Sequence, residues 1–390
     1  MIQIGVVGKS NVGKSTFFKA ATLVDVEISN RIFTTIKPNQ AVAYVTAECP
    51  CKKLGVICNP QNSKCVSGVR MIPIKLIDVA GLVPDAHKGR GLGIQFLNDL
   101  MEASMLIHVI DISGGTDVEG NPIKAGTHNP EEDIKFLPHE IDHWMFGIMS
   151  RNWQQIRRKA EATKEPIEKL IYEQLSGLQV TNLAIEDALR ETGFNLHSSE
   201  DDLLEFISLI REKSKPIVIA GNKIDVPEAK SNYEKLKDNY SVIPTSAESE
   251  LALREAEKHK LIEYIPGENG FKIVSDVNEK QKQALDFIKT RLLEVYGSTG
   301  VQQVINSGVF EVLDMIVVYP VTNIGKLTDK KGHILPDAHI VKKGTTLKEF
   351  AYKIHQEIGE KFAGGLDRQR KKLGADYELK NGDMVEILTR

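Results

Sequence analysis

The eight residues Gly8-Lys9-Ser10-Asn11-Val12-Gly13-Lys14-Ser15 constrain this chain more than any other stretch. They fit G-x-x-x-x-G-K-[ST], follow the apolar run Ile2–Val7 and lead into a helical period over Ser15–Leu23. A strand, a glycine loop and a helix in that order form a phosphate cradle. The glycines let backbone N–H groups close around phosphate oxygens, and the helix aims its positive end at the same oxygens. Lys14 is placed to reach the β and γ oxygens, and the Ser15 hydroxyl to ligate Mg²⁺. Gly8, Ser10, Asn11, Val12, Gly13 and Thr16 complete the expected nucleotide contacts.

Three further signals follow in chain order. Asp78-Val79-Ala80-Gly81 ends an apolar run and puts a carboxylate where P-loop enzymes organise Mg²⁺, here in its second shell. Gly81 is placed to present its N–H to the γ-phosphate. Asn222-Lys223-Ile224-Asp225 ends another run, and a carboxylate there accepts from both the ring N–H and the exocyclic amine of guanine. Adenine presents an acceptor at that edge, so it leaves the carboxylate unpaired at a cost of a few kcal/mol, on the order of 3. Thr245-Ser246-Ala247 is expected to close the base pocket through the Ala247 backbone N–H. Between the first two strands, Arg31-Ile32-Phe33-Thr34-Thr35-Ile36 offers Thr35 as a Mg²⁺ ligand and γ-phosphate contact, which makes the segment a candidate switch.

The rest of the chain reads as an α/β protein with additions. At 390 residues it is long enough for two or three domains. Strand-like runs at Ile2–Val7, Ala41–Val45, Ile72–Val79, Met105–Ile110, Ile217–Ala220 and Tyr240–Pro244 alternate with helical periods such as Gly93–Glu102, which argues for a mostly parallel sheet. The interval between the fourth and fifth runs exceeds a βαβ crossover by roughly 70 residues. Its Glu, Lys, Leu and Ile at helical spacing mark a helical insertion, entered through the glycine-rich loop Ser113–Pro130. After residue 313 a β-β-α-β order suggests a small β-grasp module: a strand at Met315–Val321, a hairpin using Ile334–Leu335 and His339–Val341, a helix capped by Thr345 or Thr346, and a last strand at Met384–Leu388. The expected organisation is a nucleotide-binding domain over 1–116 and 215–305, a helical domain over 117–214, and a β-grasp domain over 313–390.

Composition adds exclusions. With 50 basic and 53 acidic residues the net charge is −3, so nucleic-acid contact must come from a local patch. One such patch is Arg368, Arg370, Lys371 and Lys372. No window approaches the roughly 18 apolar residues of a membrane span. The N-terminus lacks the basic start and long apolar run of a signal peptide. The expectation is a cytoplasmic protein without membrane partners, with a monomer favoured.

Taken together, the motifs resemble those of the Obg-like GTPase superfamily, most closely the YchF branch in its archaeal form. The carrying residues are Asn11-Val12-Gly13-Lys14-Ser15, Phe33-Thr34-Thr35-Ile36-Lys37-Pro38-Asn39, Asp78-Val79-Ala80-Gly81-Leu82-Val83 and Gly89-Arg90-Gly91-Leu92-Gly93 with Phe96-Leu97. The resemblance spans essentially the full length and implies a C-terminal TGS domain and a ribosome or RNA partner. It also implies slow intrinsic hydrolysis, because Leu82 stands where a water-orienting glutamine would, and a K⁺ ion held by Asn11. Bacterial and eukaryotic YchF proteins typically lack the N-K-x-D carboxylate and can use ATP. This chain keeps Asp225, so the expectation is GTP preference. The implied activity is a Mg²⁺-dependent switch hydrolysing GTP to GDP and phosphate. The competing readings are an RNA-binding scaffold with a structural nucleotide site, and an ATP-using relative.

Two signals stand outside that scheme. All four cysteines, Cys49, Cys51, Cys58 and Cys65, fall within one short segment. They fit one structural tetrathiolate Zn²⁺ site, two disulfides or free thiols. His139-Glu140-Ile141-Asp142-His143 matches H-E-x-x-H, but it lacks a third ligand and sits among Phe136, Leu137, Ile141, Trp144 and Met145, as in a packing helix.

Overall fold

The computed structural model describes residues 2–22, 40–79, 100 and 102–390. Its strands are β1 (Gln3–Val7), β2 (Gln40–Glu48), β3 (Lys64–Val66), β4 (Val69–Asp78), β5 (Met105–Asp111), β6 (Ile217–Asn222), β7 (Val242–Pro244), β8 (Ile262–Tyr264), β9 (Phe271–Ile273), β10 (Met315–Val321), β11 (His339–Lys342), β12 (Phe362–Leu366), β13 (Lys372–Leu373) and β14 (Met384–Thr389). The chain forms two compact units. Of the described residues, the first holds 2–22, 40–41, 75–79, 100 and 102–304; the second holds 42–74 and 305–390.

In the first unit the order is β4-β1-β5-β6-β7, parallel throughout. β5 is buried along its whole length, as expected of a central strand covered on both faces. The register sets Val6 opposite Asp78 and Asp111 opposite Asn222, so three polar strand ends lie along one edge of the sheet. Open α/β sheets bind ligands at the carboxyl ends of their strands, and the motifs converge there.

The helical segment begins with Pro130–Thr163, a helix of 34 residues. Asn129 caps it by accepting from the Glu131 N–H, a proline occupies the first turn, and Glu131, Glu132 and Asp133 face the positive end of its dipole. Leu137, Ile141, Met145, Met149, Trp153, Ile156 and Ala160 form its buried stripe. That stripe packs with Leu170, Ile171, Ile185, Phe206 and Ile210 of the following helices. The same cluster includes Val7, Ile77, Val79 and Leu106 of the sheet. The helices therefore share a core with the sheet, where the sequence suggested a separate domain.

His108 lies in the middle of β5, 3% exposed. Burial, assisted by the Lys9 charge, holds its pKa down to about 3. A folded state that keeps this imidazole neutral gains nothing from it above the ordinary value of 6.5 and loses stability as pH falls below that value. The slope is about 1.4 kcal/mol per pH unit, so His108 alone should remove about 2 kcal/mol by about pH 5. Urea midpoints at about pH 7 and about pH 5 test this. In His108→Leu the shift between the two should shrink by that amount; an unchanged shift would show that other groups govern acid sensitivity.

The second unit contains the β-grasp module, a five-stranded sheet in the order β11-β10-β14-β12-β13. β10 and β14 are parallel and the other pairs antiparallel. Ile316, Val318, Val341, Leu347, Phe350, Leu373, Leu379 and Val385 make its core. Thr346, not Thr345, caps the helix Leu347–Ile354 in a reciprocal capping box with Glu349. A short helix, Gln356–Glu360, follows. The expected hairpin is replaced by β11 pairing with β10, while Ile334 makes only an isolated bridge to Thr328. β12 and β13 are additions to the expected order. The unit also contains β2 up to Glu48, the cysteine-bearing excursion, β3 and the first half of β4.

Candidate nucleotide site

The phosphate loop bends through positive φ at Asn11 (59°) and Gly13 (93°). Alternating hand of this kind turns successive N–H groups into one concave face suited to anions. A side chain at Gly13 is excluded twice, by its φ and because a Cβ would stand 2.1 Å from Asn222 Nδ2. At Gly8 a Cβ would stand 2.5 Å from the Val109 carbonyl oxygen. The loop runs into the helix Lys14–Thr22, whose first bond is Phe17 N–H to Gly13 O at 2.8 Å. Ser10, Asn11 and Ser15 are exposed, Thr16 is half-buried, and Val12 is buried beneath the loop.

Lys14 donates to Asp78 Oδ1 at 2.5 Å and to the Val79 carbonyl at 2.7 Å. Lys14 and the strand-end carboxylate Asp78 therefore occupy one spot, next to Ser15. Lys9 is 5% exposed and reaches the other way. It donates to Asp133 Oδ1 at 2.6 Å and to the Asp117 carbonyl at 2.6 Å. His128 Nε2 meets the same Asp133 oxygen at 2.9 Å. Asn11 Nδ2 donates to Gly120 O at 2.9 Å. The loop before the long helix is thus held on the phosphate loop at two places.

The N-K-x-D turn is wired to the glycine loop by Asn222. Its Nδ2 donates to Val12 O at 2.8 Å, and its Oδ1 accepts from Ala247 N–H at 2.9 Å. The Ala247 N–H, expected to close a base pocket, donates here to Asn222, which joins the N-K-x-D turn to the Thr245-Ser246-Ala247 turn. Ser246 is likewise buried, its N–H donating to Thr299 O at 2.8 Å and its hydroxyl accepting from Ser249 N–H. Lys223, at φ 65°, places Nζ 2.7 Å from Asp111 Oδ2. Ile224 N–H donates to Thr245 O at 3.1 Å and Val226 N–H to Lys223 O at 3.0 Å, fixing the turn that carries Asp225. Asp225 is half-buried and makes no hydrogen bond among the described residues. Behind the pocket, Glu250 accepts from Thr299 and Tyr264 hydroxyls, and burial raises its pKa.

Thr35, with the candidate switch segment around it, and Gly81 and Leu82 lie outside the described residues. Cys49, Cys51, Cys58 and Cys65 converge in the second unit, with their sulfur atoms within 4.8 Å of one another. Among the described residues no other group of three or more such side chains converges in this way. His139 and His143 are neighbours on one helix, with ring centroids 4.0 Å apart and His143 Nδ1 2.9 Å from the His139 carbonyl. Among the described residues no third metal-ligating side chain converges on them. Sequence reasoning missed Asp111, Lys9 and Asp133. Asp111 had a usable signal, since it ends an apolar run just as Asp78 and Asn222 do.

A phosphate loop, a strand-end aspartate and an N-K-x-D turn along one edge of a parallel sheet define a P-loop GTPase. Comparison with known proteins agrees. Residues 3–142 match the family model described as 50S ribosome-binding GTPase. Residues 220–323 match the Obg-like GTPase YGR210-like, G4 motif-containing domain, and residues 328–389 the TGS domain. A GTP-binding protein of Methanocaldococcus jannaschii is 50% identical over 396 residues, covering 100% of this chain and 99% of its own. The ribosome-binding ATPase YchF of Escherichia coli O157:H7 is 25% identical over 98% of both chains. The crystal structure of a GTP binding protein from Pyrococcus horikoshii OT3 superposes with a TM-score of 0.80 at 40% identity, covering 100% of each chain. The Schizosaccharomyces pombe YchF GTPase shares the fold, with a TM-score of 0.59 at 18% identity over 99% of this chain and 97% of that one. The chain belongs to the YchF-type GTP-binding proteins of the Obg-like GTPase superfamily. Among the described residues no helix is long and apolar enough to cross a membrane.

Proposed function

We propose that this protein is a Mg²⁺-dependent switch that hydrolyses GTP to GDP and phosphate in the cytoplasm. The observation that carries this reading is Asn222, which ties the base-reading turn, the phosphate loop and the Ala247 turn into one hydrogen-bonded frame. Such a frame suits a site that reads the base and grips the phosphates together. In this reading Gly8 to Thr16 surround the phosphates and Lys14 leaves Asp78 for the β and γ oxygens. Lys223 and Asp225 hold guanine, and Gly81 and Thr35 sense the γ-phosphate. Ser15 and Thr35 would ligate Mg²⁺ and Asp78 would orient its water. The exposed Ser15 hydroxyl beside the Lys14–Asp78 pair fits that role. The ion supplies charge neutralisation between the phosphates. Asn11 commits its Nδ2 to Gly120, which leaves its carbonyl oxygen as the atom suited to K⁺.

The output would pass through the helical segment 117–214 and the TGS domain 313–390 to a ribosome or RNA. Relatives carry the name ribosome-binding ATPase. Arg368, Arg370, Lys371 and Lys372 are exposed around the turn after β12, which Asp367 caps by accepting from Lys371 N–H at 2.8 Å. Four cations on one turn suit phosphate contact.

The test is phosphate release from GTP by the full chain with Mg²⁺ and K⁺. Lys14→Ala should lower it by about 100-fold or more, as loss of a transition-state charge contact does. Replacing K⁺ with Na⁺ should lower it about 10-fold, the loss of one weak charge contact. Ribosome co-sedimentation should differ between GDP and a non-hydrolysable GTP analogue, because a ligand state with equal affinity shifts nothing. Equal sedimentation with no phosphate release would replace the switch with a scaffold.

A further inference from the structure

We propose that Cys49, Cys51, Cys58 and Cys65 bind one Zn²⁺ ion that clamps the excursion between β2 and β3 onto the β-grasp module. No residue of the nucleotide site takes part, so the proposal stands apart from the switch reading.

The sulfur positions carry the first half of the argument. A tetrahedral tetrathiolate site with Zn–S bonds of about 2.3 Å has sulfur–sulfur edges of about 3.8 Å. Cys49 and Cys58 sulfurs are 3.9 Å apart, and Cys51 and Cys65 sulfurs 3.8 Å apart. All four lie within 4.8 Å of one another. Local structure positions three of the four. Cys49 and Cys51 bracket the start of the helix Pro50–Leu54, which ends at Gly55 in the left-handed region. Cys65 sits on β3, brought back by the turn Ser67-Gly68, where both residues have positive φ, as a tight hairpin requires. Cys49 N–H closes the ring onto Gly68 O at 2.8 Å.

The second half is a charge without a partner. Arg70 lies opposite Cys65 in the β3–β4 pair and is 0% exposed. Its guanidinium donates to Ser63 Oγ at 3.0 Å and Leu335 O at 2.7 Å, and lies 5.4 Å from the centre of the Tyr319 ring. Among the described residues its Nε has no hydrogen-bond partner and no carboxylate is within ion-pair distance, although Asp337 is near enough to feel its field. A buried cation without an anion is costly. Four thiolates around Zn²⁺ leave two negative charges net, placed beside this guanidinium.

The metal would hold a segment that grips the β10–β11 connection. Asn59 N–H donates to Ile334 O at 2.8 Å and Gln61 N–H to Pro336 O at 2.6 Å. The Asn62 side chain exchanges two hydrogen bonds with Ala338, at 3.0 and 2.9 Å.

The experiment uses the full chain purified from zinc-supplemented medium. Elemental analysis should find one zinc per chain, and Co²⁺ exchange should give the intense visible bands of a tetrahedral thiolate site. A thiol-directed mercurial should release zinc in step with thiol titration. After release, amide exchange at Asn59 and Gln61 should rise at least about 10-fold, while exchange at Ala247 stays unchanged. Arg70→Met should lose zinc to a chelator at least about 10-fold faster, as loss of a favourable buried charge contact implies. If that variant fails to fold, the chelation arm on the natural chain still decides. A zinc-free chain with four reactive thiols and no cobalt bands overturns the proposal. So does a chain lighter by four hydrogens with no reactive thiol, which would contain two disulfides. One bound zinc with unchanged exchange at Asn59 and Gln61 would overturn the clamp.

Discussion

Asp225→Asn is expected to lower GTP affinity by about 100- to 1000-fold while leaving ATP affinity within about 3-fold. The carboxylate is half-buried and makes no hydrogen bond among the described residues. Its turn is fixed from both sides by Ile224 N–H on Thr245 O and Val226 N–H on Lys223 O. A fixed acceptor with two free oxygens is matched to the two adjacent donors of guanine. Charge-assisted hydrogen bonds are worth about 1.5–3 kcal/mol each. An asparagine amide replaces one acceptor with a donor that faces a donor. The same change should favour xanthine nucleotides, which carry a carbonyl where guanine carries its amine. Competition binding of GTP, ATP and XTP to the nucleotide-free protein reads all three. Equal binding of GTP and ATP by the natural chain would remove the specificity argument and align it with the relatives named ATPases.

Asn222→Ala is expected to act differently, weakening GTP, GDP and ATP alike by about 100-fold and lowering the melting temperature by about 5 °C or more. The side chain makes two buried hydrogen bonds, at 2.8 Å to Val12 O and 2.9 Å from Ala247 N–H. Truncation leaves both backbone groups buried and unpaired, at about 1–3 kcal/mol each. It also removes the atom against which Gly13 packs. The phosphate loop should lose its fixed form, so the damage cannot be base-specific. Titration calorimetry and thermal melts on the two variants separate the roles. If Asn222→Ala spared ATP, the frame would not couple base and phosphate sites.

The parts of this site that were legible are those written in consecutive residues. Gly8 to Ser15 and Asn222 to Asp225 have chemistry that follows from local spacing. The Lys9–Asp133, Asn11–Gly120 and Lys223–Asp111 contacts join residues more than a hundred positions apart, and only the folded sheet brings them together. The Ala247 N–H donates to Asn222, 25 positions earlier, a contact that the local motif does not announce. In the second unit, β12 is Phe-Ala-Gly-Gly-Leu, without a β-branched residue, and its strand form is imposed by pairing with β14. The placement of 42–74 with the C-terminal module, not with the nucleotide site, had no local signal because β4 is one unbroken strand across both units.

The Lys9–Asp133 ion pair has a mechanical consequence. It fastens the phosphate loop to the first turn of a 34-residue helix. At 1.5 Å per residue that rod is about 51 Å long. A tilt of about 5° at the fastened end sweeps the other end through about 4 Å, enough to break a docked surface or make one. In the proposed switch, Lys9 would be the short arm of a lever whose long arm ends at Thr163.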